Sequence, residues 1–120
     1  MSRPDKSFGN WDSVMAFALT LSDTEPSTSY GAPTVRVRGK PFVYPGRERG
    51  SFAVACPVEE KEFLVETDPD TFWETDHYRG WPAVLVRYSS PDSERIEMLI
   101  RRAWWDRLTK KQQKAIGSRP

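Results

Sequence analysis

A hydrophobic period of 3.6 residues at both ends of this chain encloses a middle whose period is two. At the front, Trp11, Val14, Met15, Ala18 and Leu19 fall on one helical stripe. Asn10 is placed to cap that helix, and Asp12 suits the positive end of its dipole. Ser22-Asp23-Thr24-Glu25-Pro26 is turn chemistry, so the helix is expected to stop near Leu21. At the back, Ser90 is placed to cap, Pro91 fits the first helical position, and Ile96, Leu99, Ile100, Ala103 and Trp104 form a stripe that Leu108 extends. That helix is expected to run to Gln113.

In the middle, Thr34-Val35-Arg36-Val37-Arg38 puts both valines on one side of a strand and both arginines on the other. Gly39-Lys40 reads as a tight turn into Pro41-Phe42-Val43-Tyr44, and the turn at 46–50 leads into Ser51-Phe52-Ala53-Val54-Ala55-Cys56. These make a three-stranded antiparallel meander. Pro57 fits the start of a second helix with Glu59 and Glu60 in its first turn, and Phe63 and Leu64 are its expected core contacts. Two further strands are expected, at 72–75 and 83–88, with an irregular segment between them. The order α-βββ-α-ββ-α predicts an α+β domain, an antiparallel sheet with helices packed on one face. Residues 1–9 read as a flexible N-terminus, 10–113 as a single domain and 114–120 as a basic C-terminal tail.

A chain of 120 residues suits one core, and five Trp, four Tyr and six Phe can fill it; a chain so rich in aromatics is not disordered throughout. One cysteine excludes an internal disulfide, and Cys56 with the single His77 does not make the usual zinc sets, so neither a metal nor another cofactor is expected. Cys56 ends an apolar strand, where a free cysteine behaves as a small hydrophobe rather than as a nucleophile paired to His77. The hydrolase, zinc-peptidase and phosphate-loop motifs are missing, so an enzyme is not the expectation. No apolar run approaches ~20 residues, and no apolar signal core follows Met1, so no membrane partner is expected and the cytoplasm is the expected location.

The net charge is only +1, but it is unevenly spread. Residues 58–76 carry −7, residues 101–120 carry +6 and residues 36–49 carry +4. The acidic run has no calcium-loop spacing and reads as a solvated face. The basic segments suit phosphate, because Lys and Arg that neutralise phosphates release counterions. Tyr30, Tyr44 and Trp105 stand ready to stack on bases. Against this, basic residues at a helix C-terminus also complement its dipole, and the second face of a sheet is often merely charged. Arg36 and Arg38 either face a ligand or pair with Glu48 or Glu74. Trp105, about 100° round the helix from Trp104, is either an exposed contact or packs on a loop.

The chain resembles the MmcQ/YjbR family at Thr28-Ser29-Tyr30-Gly31-Ala32-Pro33, at Arg36-Val37-Arg38-Gly39-Lys40-Pro41-Phe42 and at Asp68-Pro69-Asp70-Thr71-Phe72-Trp73. The likeness continues at Asp76-His77-Tyr78-Arg79-Gly80-Trp81-Pro82, through Val84-Leu85-Val86-Arg87 and into the closing helix with Trp104. The resemblance implies a frataxin-like (CyaY-like) α+β fold and a DNA-binding assignment. It marks Tyr30, Gly31, Pro33, Arg36, Gly39, Lys40, His77, Tyr78, Arg79 and Trp81 as recurrent family positions. Frataxin-like folds also suggest metal handling, but the first helix here carries only Asp12 as an acid.

The expected activity is therefore DNA or other nucleic-acid binding through Arg36, Arg38, Lys40 and Arg79, assisted by Arg101, Arg102, Lys110 and Lys111 on the last helix. Contacts to phosphate should dominate, with weak sequence preference. The alternative is a module for an anionic small ligand or a protein partner, with a cleft around Tyr30, Arg36, His77, Tyr78 and Trp81. A third reading makes His77 an acid–base group with Arg36 as an anion anchor. A monomer or weak dimer is expected. The nucleic-acid reading requires the two basic segments to share a surface that the acidic run does not neutralise.

Overall fold

The computed structural model describes residues 8–29, 31–46, 48 and 50–120. Tyr30, Arg47 and Arg49, singled out above, lie outside the described residues, as do residues 1–7 of the expected flexible N-terminus.

Asn10 caps α1 (Trp11–Ala18). Its side chain accepts the Ser13 N–H at 2.8 Å, and the Ser13 hydroxyl reaches back to the Asn10 backbone, a reciprocal capping box. The Trp11 indole N–H donates to the Pro33 carbonyl at 2.9 Å and ties α1 to the next sheet.

The stretch after α1 departs from expectation. Thr24, Glu25 and Pro26, expected in a turn, instead open strand β1 (Thr24–Ser29), antiparallel to β2 (Ala32–Val37), with Thr24 opposite Val37. β1 has no apolar alternation to announce it; its partner supplies the structure. The turn after β2 is also displaced by one residue. Arg38 (φ 54°) and Gly39 (φ 75°) are its two central residues, because a two-residue hairpin turn of this kind needs a positive φ at both. Arg38 therefore leaves the strand instead of sharing a face with Arg36.

The second strand of the expected hairpin is split. β3 (Lys40–Pro41) pairs with β2, but Pro41 has no N–H with which to extend the ladder. At the fully buried Phe42 the chain passes into β4 (Val43–Pro45) of a second sheet, and the Phe42 carbonyl accepts the Ala55 N–H at 3.0 Å. β5 (Ser51–Ala55), β6 (Phe72–Trp73) and β7 (Ala83–Arg87) complete that sheet in the order β4-β5-β7-β6, antiparallel throughout. The expected meander is thus shared between two sheets joined through Phe42.

The helices place their apolar sides in one core. Val14 and Ala18 of α1, Leu64 of α2 (Val58–Thr67) and Ile96, Leu99, Ile100 and Ala103 of α3 (Ser93–Asp106) meet Phe52, Val54, Val84 and Val86 there. The fold is α+β, as the pattern predicts. The opposite sheet face is not simply wet: Ala53 and Leu85 lie under Tyr78, with Tyr44 and Trp73 packed beside them.

Two helix expectations are corrected. On α2, Leu64 is buried as expected, but Phe63 is 59% exposed, and the other buried position is Lys61, at 1%. Its ammonium donates to the carbonyls of Tyr78 at 2.8 Å and Trp81 at 2.7 Å, and lies 2.9 Å from a Glu74 carboxylate oxygen. The closing helix is not continuous to Gln113. Asp92, not Ser90, caps α3, and a separate α4 (Lys110–Ile116) follows. Thr109 and Gln112 form a second capping box, which restarts the helix after Leu108 has buried its side chain. Residues 114–116 continue α4. Trp105 is half-buried against the core.

Candidate functional site

Most of the arginines proposed from the sequence are engaged within the fold. Arg36 spends its guanidinium on the hairpin that carries it: Nε donates to the Ser27 hydroxyl at 3.0 Å, and its terminal nitrogens donate to the carbonyls of Gly39 at 2.9 Å and Thr28 at 3.1 Å. Arg101 pairs with Glu97 at 3.2 Å and lies over the Phe17 ring. Arg102 pairs with Glu60 at 3.1 Å and donates to the Pro120 carbonyl at 2.9 Å. Arg119 grips Asp106 through both carboxylate oxygens and Glu60 through a third contact, each at 2.9 Å. The Asp106 hydrogen bond above all, then Glu60, holds the Arg119 guanidinium above its ordinary range despite partial burial. The acidic run and the basic C-terminal segment therefore do meet. Glu60 takes two arginines, Asp68 pairs with Arg95 at 3.7 Å, and Glu74 pairs with Lys61.

A second set of cations forms no ion pair among the described residues. Arg38, projecting from the β2–β3 turn, donates to the Arg107 carbonyl at 3.2 Å. Arg107 itself donates to the Pro41 carbonyl at 3.2 Å and, at 3.5 Å, to the Tyr44 hydroxyl. All three acceptors are neutral, so neither guanidinium is discharged. Lys40 is exposed beside the same turn, and Lys110 and Lys111, beyond Leu108 and Thr109, are exposed on the first turn of α4. The Arg38–Arg107 contact thus joins the hairpin turn, with Lys40 next to it, to the α3–α4 junction, with Lys110 and Lys111 at the start of α4. Two carboxylates stand at the margin: Asp23, which accepts the Gln112 amide at 3.2 Å, and Asp106, already held by Arg119.

His77, Arg79, Gly80 and Trp81 line an open hollow of about 370 Å³. Tyr78 is buried beneath it, 4% exposed, and the Trp81 ring rests against Tyr78 at 5.5 Å and against Tyr44 at 6.0 Å between centroids. Trp81 nevertheless keeps 47% of its surface exposed. Arg79 pairs with Asp76 at 2.8 Å, but both side chains are largely in solvent, where such a pair contributes little. Arg36 is not part of this hollow. His77 is exposed and touches Tyr78 edge-on at 5.6 Å.

Cys56 lines a smaller groove of about 240 Å³ with Pro57, Pro82, Ala103 and Asp106, and burial pushes its thiol up to about 12. Such a thiol is not a nucleophile at neutral pH. Among the described residues no group of three His, Cys, Asp or Glu side chains gathers to hold a metal ion, and no helix is long and apolar enough to cross a membrane.

Sequence reasoning placed Arg38, Lys40, Lys110 and Lys111 among the site residues but did not single out Arg107, which joins them. The available signal was a cation just ahead of an apolar residue and a Thr-x-x-Gln cap at 109–112.

The family model described as YjbR matches residues 19–105. No curated protein matches the chain. Among solved structures, the Deinococcus radiodurans protein DR2400, carrying the domain DUF419, aligns with a TM-score of 0.69 over 98% of this chain and 93% of that one. The identity is 14%, so the likeness is one of fold.

Proposed function

This chain belongs to the YjbR family, and from that starting point we propose that it is a nucleic-acid-binding domain, with DNA as its partner, that holds the phosphate backbone on Arg38, Lys40, Arg107, Lys110 and Lys111. The observation that carries this reading is the Arg38–Arg107 hydrogen bond, 3.2 Å long, which joins the hairpin turn to the α3–α4 junction. That contact joins two basic segments nearly 70 residues apart in sequence, which supports the reading of a shared surface. The arginines of α3 contribute less than the sequence suggested, because carboxylates already neutralise Arg101 and Arg102.

Cations without carboxylate partners attract polyphosphate and expel its counterions, so affinity should fall steeply with salt. Affinity should drop roughly a hundredfold between about 50 and 200 mM salt if most of the cluster engages. The test titrates labelled duplex and single-stranded oligonucleotides at both salt levels, with the protein and with its Lys110→Glu/Lys111→Glu variant. Salt-sensitive binding that the variant loses supports the reading. Absence of binding to either form at low salt, or binding indifferent to salt, rejects it.

A further inference from the structure

The hollow at His77–Trp81 and the cationic cluster are not separate features. Tyr44 joins them. Its ring lies 6.0 Å from that of Trp81, and its hydroxyl meets Arg107 at 3.5 Å. From Trp81 through Tyr44 to Arg107 and Arg38, a path of contacts leads from a half-exposed indole to cations with no carboxylate partner among the described residues. We propose that this path is a binding track for single-stranded nucleic acid: the cluster takes phosphates while one unpaired base stacks on Trp81. The proposal rests on the nucleic-acid reading above and names the form of the strand.

Three observations favour a single strand over a duplex. First, the aromatic end is a ledge, with Trp81 supported below by Tyr78 and at its side by Tyr44, so an incoming ring meets a surface already held in place. A duplex hides its base faces, whereas a single strand offers them, and every base has such a face. Second, Lys61 fixes the backbone of the ledge by donating to the carbonyls of both Tyr78 and Trp81, with its own charge answered by Glu74. An indole so mounted loses little freedom when a base stacks on it. Third, Arg79 and His77 border the same hollow and provide polar contacts for the sugar and phosphate next to the stacked base. The Asp76–Arg79 pair is exposed enough to open for a phosphate without a large cost.

Among the described residues the Trp81 side chain makes no hydrogen bond, and Lys61 holds only its carbonyl, so truncating the ring leaves the anchor intact. The experiment measures binding of oligo-dT and of a duplex with the same number of phosphates at ~50 mM salt, to the wild type, Trp81→Ala, Trp81→Phe and Lys110→Glu/Lys111→Glu. Far-ultraviolet dichroism and thermal unfolding establish that each variant is folded. The expected result is preference for oligo-dT by about tenfold or more, loss of about tenfold in Trp81→Ala for oligo-dT alone, and partial rescue by Trp81→Phe. Lys110→Glu/Lys111→Glu should weaken both forms. Equal binding of both forms, with Trp81→Ala silent and the lysine variant still defective, overturns the track and leaves the phosphate surface standing. Failure of the wild type to bind either form overturns both.

Discussion

The Lys61 ammonium sits 2.9 Å from a Glu74 carboxylate oxygen and shares its remaining protons between the carbonyls of Tyr78 and Trp81. A cation that is 1% exposed here does what an apolar side chain does elsewhere on a helix: it sets which face of α2 is inside. It also fastens the segment that presents Trp81.

Replacing Lys61 by Met removes the charge and keeps most of the volume. It leaves Glu74 and two carbonyls without their donor, and breaking a buried pair costs about 3 kcal/mol or more. Urea unfolding should show that loss. A change below ~1 kcal/mol would mean that the clamp is dispensable.

Burial raises Cys56 from 9.0 to about 12 and Tyr88 from 10.0 to about 12. Both folded values lie above the unfolded ones, so the unfolded chain releases these protons first. Their contribution to stability is complete below pH 9 and declines as pH rises from about 9 toward 12. Cys56 takes away up to about 1.4 kcal/mol per pH unit within its window, and Tyr88, more open to solvent, takes away less. Unfolding free energies at pH 8 and pH 10.5 should differ accordingly, and Cys56→Ala should flatten the difference. An unchanged slope in that variant would contradict the assignment to Cys56.

Gly46 follows β4 where the chain doubles back toward β5. A Cβ built there would collide with the Ser51 carbonyl oxygen, a backbone atom that cannot rotate away. Gly46→Ala should therefore cost about 1–3 kcal/mol, as overpacking does. Thermal unfolding reads this directly, and a midpoint equal to that of the wild type would refute the close approach.

Arg36 looked from the sequence like a ligand-facing residue, and its three hydrogen bonds now close the hairpin on itself. Arg36→Lys keeps the charge but loses the fork that reaches Ser27, Thr28 and Gly39 together. It should lower stability by about 1–3 kcal/mol while oligonucleotide affinity stays within about twofold. A large loss of affinity in a fully folded variant would return Arg36 to the binding surface.

The contrast between Arg36 and Arg38 shows where sequence reasoning reaches. Periodicity carries the elements whose side chains choose their own faces: the Asn10 cap and the Val14–Ala18 side of α1, the valine side of β2, β7 and the Ile96–Trp104 stripe stand as the pattern predicts, whereas α1 ends at Ala18 and leaves Leu19 41% exposed. It does not carry β1, a polar strand defined by pairing, nor the buried side of α2, selected by an ion pair. The break at Leu108 was hidden because Leu108 continues the apolar stripe while Thr109 caps a new helix. For the site, composition located the cations but not their partners. Glu60 reaches Arg102 and Arg119 across 42 and 59 residues, and such neutralisation exists only after folding. A one-residue shift of the turn, set by positive φ at Arg38 and Gly39, is what separates a structural arginine from an exposed one.

The salt dependence of oligo-dT binding tests the nucleic-acid surface most directly. The slope of log K against log salt should be about −2 to −3.5 for the wild type, reflecting roughly three to five neutralised phosphates on a single strand. Arg38→Gly/Lys110→Gln removes two cations, and glycine accepts the positive φ at position 38, so the fold should persist. The slope should then become shallower by roughly 1.4. A wild-type slope near zero, or one that the double variant leaves unchanged, would show that Arg38 and Lys110 do not meet the phosphates.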